Sequence, residues 1–417
     1  MPDQVPSDQA LQEIQALQFH DIPAASDRML EFLRNSDLPF TVASVVVRPL
    51  AVSLNSINGF ITTDTGKKLF FKTHIEPQSI INEYYNAEIL AAANYPTIQP
   101  LFGATEYGKQ LLIYDYFDAP SLFDVLREIE LGDSFACTFG DRRDGPNIVG
   151  IQEQADRQLA DIYLKTLAPL SAADHAAAPI HQLFYHRLVG GRYENFYVGQ
   201  DIALPGATVP FAELSQWRWR INGVEYQDSL QEIIDRAIRV LNPNSREVWS
   251  IVGHGDAHNG NVFLDQDQLI YFDPAFAGRH SFLLDLTKPM FHNVFATWMY
   301  FPQAVADQLQ IPWTVQNGVI ELVHDFVPIP ERWATLRSKL HFVLEPVLAQ
   351  LGDRRPSHWR EYLKAALFCC PFLTMNLRDS AKFPPSITLL GLSLAVEMGS
   401  AGAGVLDREL DSLFGTD

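Results

Sequence analysis

Basic residues are scarce in this chain. Its 417 residues include 31 lysines and arginines against 50 aspartates and glutamates, a formal net charge of −19. That balance argues against nucleic acid as the main partner, because a phosphate backbone demands clustered cations, and it is compatible with a cationic ligand. Cysteine is scarcer still. Cys137 and the adjacent Cys369 and Cys370 are the only three, and neighbouring cysteines seldom bridge without strain, so no disulfide framework is expected and a reducing, cytoplasmic compartment fits. Long apolar runs are missing too. The best candidate, around Ile387 to Val396, is too short for a membrane span and is interrupted by Gly391 and Ser393. The opening MPDQVPSDQALQEIQ has neither the basic nor the apolar region of a secretion signal. No repeat or low-complexity tract occurs. What the chain does have is length and a hydrophobic content of 47%, enough for a large core divided among two or three lobes.

The most informative stretch is IVGHGDAHNGNVFLDQDQLIYFDPAFAG. Ile251 and Val252 lead into a glycine-containing loop, Val262 to Leu264 reads as a strand, Asp265 to Gln268 as a turn, and Leu269 to Phe272 as a return strand ending on Asp273. Such a hairpin carries Asp256, Asn261 and Asp273 toward one point. Two carboxylates and an amide make a hard-oxygen site suited to magnesium, with Asp256 left to accept a proton. His254 reads as a brace for the loop, and His258 is ambiguous. A rival reading takes His254, Asp256 and His258 as zinc ligands of a hydrolase, although alternate residues in a loop do not by themselves close a metal site.

The wording HGDxHxxN, followed twelve residues after Asn261 by Asp273, resembles the aminoglycoside phosphotransferase, choline kinase and fructosamine kinase branch of the protein-kinase-like superfamily. It departs from the protein-kinase form: His258 stands where a lysine is usual, and Asp273 is followed by Pro274 and Ala275 instead of Phe-Gly. The resemblance implies an α+β, two-lobed kinase-like fold, with ATP and Mg2+ as cofactors. It implies Asp256 as catalytic base and Asn261 and Asp273 as metal ligands. The acceptor would be a small-molecule hydroxyl, and the acidic balance hints at a cationic one such as an aminoglycoside or amino alcohol.

Upstream, residues 9–35 read as one or two helices broken near Ile22-Pro23. Strands are expected over Pro39 to Leu50, Gly59 to Thr63 and Lys68 to Thr73, followed by a helix from Gln78 to Asn94. Lys72 closes the third strand. In the kinase template such a lysine holds nucleotide phosphates and is steadied by a glutamate on the next helix. Glu83 and Glu88, eleven and sixteen residues on, flank that helix's apolar stripe on opposite sides, and the sequence leaves the choice open. By the same resemblance Ser53, Asn55 and Ser56 form the phosphate-covering loop, without a GxGxxG pattern, although Asn58-Gly59 also reads as a hairpin turn. Asp115, Tyr116 and Phe117 follow an apolar strand, Gln110 to Tyr114, at the position that binds adenine. Ser121 caps the next helix.

The expected division is a small nucleotide-binding lobe, with the N-terminal helices, over 1–114 and a large lobe over 115–417 with an insertion at about 130–245. In the insertion, Asp141 to Gly145 reads as a loop, Gln152 to Leu170 as a helix, and Trp217 to Tyr226 as a hairpin around Asn222-Gly223. Phe184 to Tyr193 combines aromatics, Arg187, Arg192 and a Gly-Gly break. Asp285 reads as an anchor for the catalytic loop. The remainder reads as mainly helical, at Ile320 to Phe326, Ala334 to Leu351, Ser357 to Leu373 and Ile387 to Met398. A non-catalytic kinase-like module that binds nucleotide or a protein is the alternative function.

Overall fold

The computed structural model describes residues 7–414 apart from 49–55, 75–78, 105, 107, 133–146, 246 and 403, and backbone alone at 7–9, 56, 74, 79–85 and 245. The chain divides into two compact units: Met1–Pro120 with Ile270–Ala277, and Ser121–Leu269 with Gly278–Asp417. Residue 114 was the expected division; the first unit runs six residues further and takes back Ile270–Ala277 from the middle of the chain, which no local pattern signals.

In the first unit, α1 (Ser7–Leu17) and α2 (Ile22–Arg34) precede strands β1 (Val42–Val47), β2 (Ser56–Thr63) and β3 (Lys68–His74), helix α3 (Ser79–Ala92), and strands β4 (Phe102–Ala104) and β5 (Leu111–Asp115). The break between α1 and α2 arises because Asp21 caps α2, its carboxylate accepting the Ala24 N–H at 3.0 Å, with a proline in the first turn. The strands form one antiparallel sheet in the order β1-β2-β3-β5-β4. Only β4 was not expected; at three residues it is too short to show a period.

Side chains alternate across a strand, and here the alternation separates core from site. Ile57, Ile61, Leu69, Phe71, Leu111 and Ile113 point to one face, where they pack with Leu11, Ile14, Met29, Phe32 and Leu33 of α1 and α2. Burying a side chain such as Phe71 contributes about 1.5–3 kcal/mol. The opposite face receives Phe70, Lys72, Leu112 and Tyr114. Gly59 lies inside β2, not in a hairpin turn, and its lack of a side chain is required. A β-carbon there would come within 2.3 Å of the Val46 carbonyl oxygen and 2.7 Å of the Phe71 ring.

The second unit opens with α4 (Leu122–Leu131), capped by Ser121 as expected, and α5 (Ile148–Thr166). The helix expected to reach Leu170 stops at Thr166. Residues Ala168–Leu170 form β6, which pairs with strand Val248–Gly253, itself paired with Gly278–Ser281. Ile320 to Phe326 is a correction of another kind. Val319–Leu322 is a strand with Ile320 and Leu322 buried and Glu321 exposed, and the left-handed pair Asn317-Gly318 turns it back on Trp313–Gln316. That strand also runs parallel to Arg218–Ile221 of the expected Asn222-Gly223 hairpin, so one four-stranded sheet results. Helices follow at Trp359–Leu373 and Pro385–Gly399, close to their expected limits, while 334–351 contains a π-helical turn at Lys339–Leu344. No helix among the described residues is long and apolar enough to cross a membrane.

Replacing Gly59 by alanine should lower stability by about 1–3 kcal/mol, as overpacking does. A urea melt of the variant would register it, and an unchanged midpoint would mean that β1 and Phe71 yield without strain.

Candidate active site

In the first unit the site is built on β3. Lys72 pairs in register with Asn58 on one side and Leu112 on the other, so its side chain leaves the sheet on the face away from α1 and α2. It is buried, and a buried ammonium requires a partner. Lys72 Nζ meets Asp273 Oδ1 at 2.8 Å, an ion pair between residues 201 positions apart. Asp273 reaches this place because the backbone before it is stitched down. The Tyr271 N–H donates to the Pro96 carbonyl at 2.7 Å, the Ile98 N–H donates to the Tyr271 carbonyl at 3.0 Å, and the Tyr271 ring meets Tyr95 edge-on. Asp273 then adopts φ +58°, a left-handed conformation that aspartate tolerates better than most residues.

Around this pair lies an aromatic wall. Phe272 packs against Tyr114 and Phe70 with ring centroids 5.2 and 6.1 Å away. Asn86, buried on α3, donates its amide to the Ala275 carbonyl at 3.3 Å, which holds the segment following Asp273. Asn86 was not singled out in the sequence, although it stands one helical turn beyond Glu83. Glu88 is exposed and forms no ion pair among the described residues, whereas the side chain of Glu83 lies outside them. Ser53 and Asn55 also lie outside the described residues, and Ser56 begins β2 with its side chain undescribed. At the end of β5 the exposed Asp115 forms an ion pair with Lys67. The Tyr116 ring lies under Lys68 Nζ at 3.7 Å and beside Phe60, while Phe117 is half-buried.

The second unit holds the loop from His254 to Asn261. Strand Val248–Gly253 delivers it, and Asp285, at the start of helix Phe282–His292, pins it. The buried Asp285 carboxylate accepts the Gly255 N–H at 2.5 Å and the Tyr163 hydroxyl, and contacts His280 Nε2 at 2.8 Å. Gly253 must be glycine because a β-carbon would sit 2.5 Å from Asp285 Oδ1. Burial alone would push the Asp285 carboxyl up, yet His280, Tyr163 and the Gly255 amide outweigh it and hold the value below the ordinary one. The anchoring role expected for Asp285 is what these contacts describe.

Within the loop, His254 Nδ1 accepts the Asp256 N–H at 3.4 Å, His258 Nδ1 accepts the Gly260 N–H at 3.1 Å, and the Asn261 amide donates to the Asp256 carbonyl at 3.0 Å. The histidines are therefore engaged by the loop backbone. No group of three or more His, Cys, Asp or Glu among the described residues is arranged to hold a metal, so the zinc-hydrolase reading gains nothing. Asn261 gives its amide nitrogen to the loop, which leaves its amide oxygen, a hard donor of the kind a divalent cation takes, outside that hydrogen bond.

Asp256 itself has company that the sequence did not reveal. Lys288, one turn beyond Asp285, brings Nζ to 3.2 Å from Asp256 Oδ1, near enough to attract without hydrogen-bond alignment. Burial pushes the Asp256 carboxyl up, but Lys288, His258 and Arg187 more than offset it, so the group lies below its ordinary value and is ionised at neutral pH. Behind it, Lys288 Nζ is 3.4 Å from His292 Nε2, and His292 Nδ1 is 2.9 Å from the Tyr300 hydroxyl. Burial first, and then Lys288, His258 and Arg187, depress His292 well below its usual value, so this imidazole is neutral.

No protein-family model and no curated protein matches the sequence. Among solved structures, the chain is similar to an amicoumacin kinase in complex with AMP-PNP and Ca2+, at 10% identity over 93% of this chain and 95% of that one, with a TM-score of 0.47. It is also similar to the apo form of a thermostable mutant aminoglycoside phosphotransferase, at 13% identity over 93% and 99% with a TM-score of 0.43. A putative fructosamine-3-kinase from Thermobifida fusca matches at 13% identity over 85% and 93%, with a TM-score of 0.40.

The depressed Asp285 carboxyl has a consequence for acid stability. Its contribution is complete above the unfolded value of about 3.9 and is lost as pH falls through the lower folded value. Asp285→Asn should therefore cost about 3–5 kcal/mol near neutral pH, as removal of one partner of a buried charged pair does, and progressively less below about pH 4. Urea midpoints of both proteins across pH 3–7 check this. A constant difference at all pH values would dissociate the loss from ionisation.

Proposed function

We propose that this chain is an ATP- and magnesium-dependent phosphotransferase that acts on a hydroxyl of a small molecule. The observation that carries the reading is the ion pair between the buried Lys72 and the half-buried Asp273, two residues whose local sequences independently suit phosphate and metal binding. The chain also holds donors of the right chemistry: the Asp273 carboxylate and Asn261 amide oxygen for magnesium, and an ionised Asp256 for a hydroxyl proton. When bound, ATP would supply the phosphoryl group and magnesium would neutralise its charge.

In this reading Lys72 binds the nucleotide phosphates, and the wall of Phe70, Tyr114 and Phe272 lies against the nucleobase. Asp256 orients the acceptor hydroxyl and takes its proton, with Lys288 beside it keeping the carboxylate ionised. Asp285 and His254 hold the loop that carries Asp256, and such positioning lowers a barrier. The exposure of Glu88 favours Glu83 as the glutamate that steadies Lys72.

Asp256→Asn is expected to lower turnover by about 10²–10⁴-fold, the range for loss of general-base catalysis, while the protein still binds ATP with magnesium. ATP consumption and nucleotide titration read the two halves separately, and retained turnover overturns the role of Asp256. Lys72→Met should instead weaken the thermal shift produced by ATP and magnesium. Glu83→Gln should do so more than Glu88→Gln; the reverse order would reassign the pair.

A further inference from the structure

The surroundings of Asp256 are basic in an otherwise acidic chain. The groups with the largest electrostatic effect on its carboxylate are Lys288, His258 and Arg187, and the turn that carries Arg187 and the helix that carries Lys288 both pack against helix Trp359–Leu373. Lys288 is at ion-pair distance, so the carboxylate already has a counter-charge before Arg187 is considered.

Arg187 comes from the segment Phe184 to Tyr193, whose aromatics and paired arginines stood out in the sequence. The two arginines have different occupations. Arg192 donates to the Leu373 and Thr374 carbonyls, the former at 3.0 Å, closing the C-terminal end of helix Trp359–Leu373. Arg187, on the single turn Tyr185–Leu188 that packs against the same helix, is half-buried and its guanidinium makes no hydrogen bond or ion pair among the described residues. Its electrostatic neighbours are Arg192, Asp256, Cys370 and Cys369. Burial pushes the Cys370 thiol up to about 12 and holds the Cys369 thiol well above its usual value, so neither offers a counter-ion. Burial, and then Arg192, lower Arg187 itself to about 10, which leaves it charged at neutral pH. Among the groups that act most strongly on one another here, Arg187 and Lys288 stand against the single carboxylate of Asp256. An arginine costs free energy to bury partly without a partner, and its planar fork matches carboxylate and phosphate oxygens.

Resting on the phosphotransferase reading above, we propose that the acceptor is a small alcohol bearing an anionic group, a carboxylate or a phosphate ester, which Arg187 binds while the hydroxyl faces Asp256. This is opposed to the cationic acceptor that the overall charge suggests. A cation beside Asp256 would be repelled by Lys288 and Arg187, and the carboxylate that could attract it already has Lys288 at ion-pair distance. The −19 of the whole chain does not reach the site undiminished, since exposed charges are screened within about 10 Å at ordinary ionic strength.

The test compares four acceptors of similar size, D-glycerate, glycerol 3-phosphate, glycerol and ethanolamine, for binding by saturation-transfer NMR and for ATP consumption. The expected result is preferential binding of one or both anionic compounds, with glycerate and glycerol 3-phosphate separating the carboxylate from the phosphate source. Arg187→Gln should reduce the preference over glycerol by about 10–100-fold, and Arg187→Lys should restore part of it. A urea midpoint on each variant verifies that the fold is kept. Equal binding of all four, preference for ethanolamine, or an anion preference that survives Arg187→Gln in a folded protein overturns the proposal. Anion binding without ATP consumption by any acceptor would leave the site standing and count against the phosphotransferase reading. Turnover confined to glycerol or ethanolamine would do the opposite. If Arg187 instead serves the transferring phosphoryl group, the variant slows every acceptor equally and the preference is unchanged, which also overturns the assignment.

Discussion

A lysine buried in a sheet face must be given a carboxylate, and much of the first unit is organised around meeting that demand. Lys72 is carried inward by the alternation of β3, the same alternation that commits Leu69 and Phe71 to the core under α1 and α2. Its partner is supplied from two hundred residues away, by a segment whose backbone is bound to Pro96 and Ile98 before Asp273 turns left-handed. Asn86 and the Phe70–Tyr114–Phe272 wall then enclose both ends of that segment. An ion pair in this setting is weak evidence for stability, because desolvating two charges offsets most of their attraction. Under the proposed function the pair has another use, since a lysine and an aspartate together suit a phosphate and its metal.

The second unit solves a comparable problem with a different device. A loop that must present a carboxylate in fixed orientation cannot rely on its own backbone bonds, so Asp285 collects the Gly255 amide, the Tyr163 hydroxyl and His280. Helix Phe282–His292 therefore does double duty: its first turn pins the loop and its second brings Lys288 to Asp256. Charge near Asp256 consequently comes from a helix and from the Tyr185–Leu188 turn, and has the opposite sign to the chain as a whole. Net charge describes the surface, whereas a partly buried site answers to its nearest few groups.

Much was legible in advance because it depends on short-range periodicity. The strands β1, β2, β3 and β5, the helices α1 to α4, and the anchoring by Asp285 follow from alternation, capping residues and spacing. Errors fell where pairing across long separations decides the outcome. Ile320 to Leu322 has an apolar content that suits either helix or strand, and it became a strand because Asn317-Gly318 folds it back and Arg218–Ile221 offers an edge. Ala168–Leu170 left its helix for the same kind of reason, an available neighbour at Val248–Gly253.

Residue chemistry was settled by the sequence itself: which side chains can hold a proton, an oxygen ligand or a phosphate, and which local elements carry Lys72, Asp256, Asn261 and Asp273. Neighbourhood belonged to tertiary structure. That Lys72 meets Asp273, that Lys288 and Arg187 influence Asp256, that Asn86 holds Ala275, and that Glu88 faces solvent are facts about residues far apart in the chain or about which side of a helix is covered. Local propensities are set within a few residues and can be read along a line. Ion pairs and burial depend on distances in space, and a decision such as the sign of charge around Asp256 exists only once the chain has closed on itself.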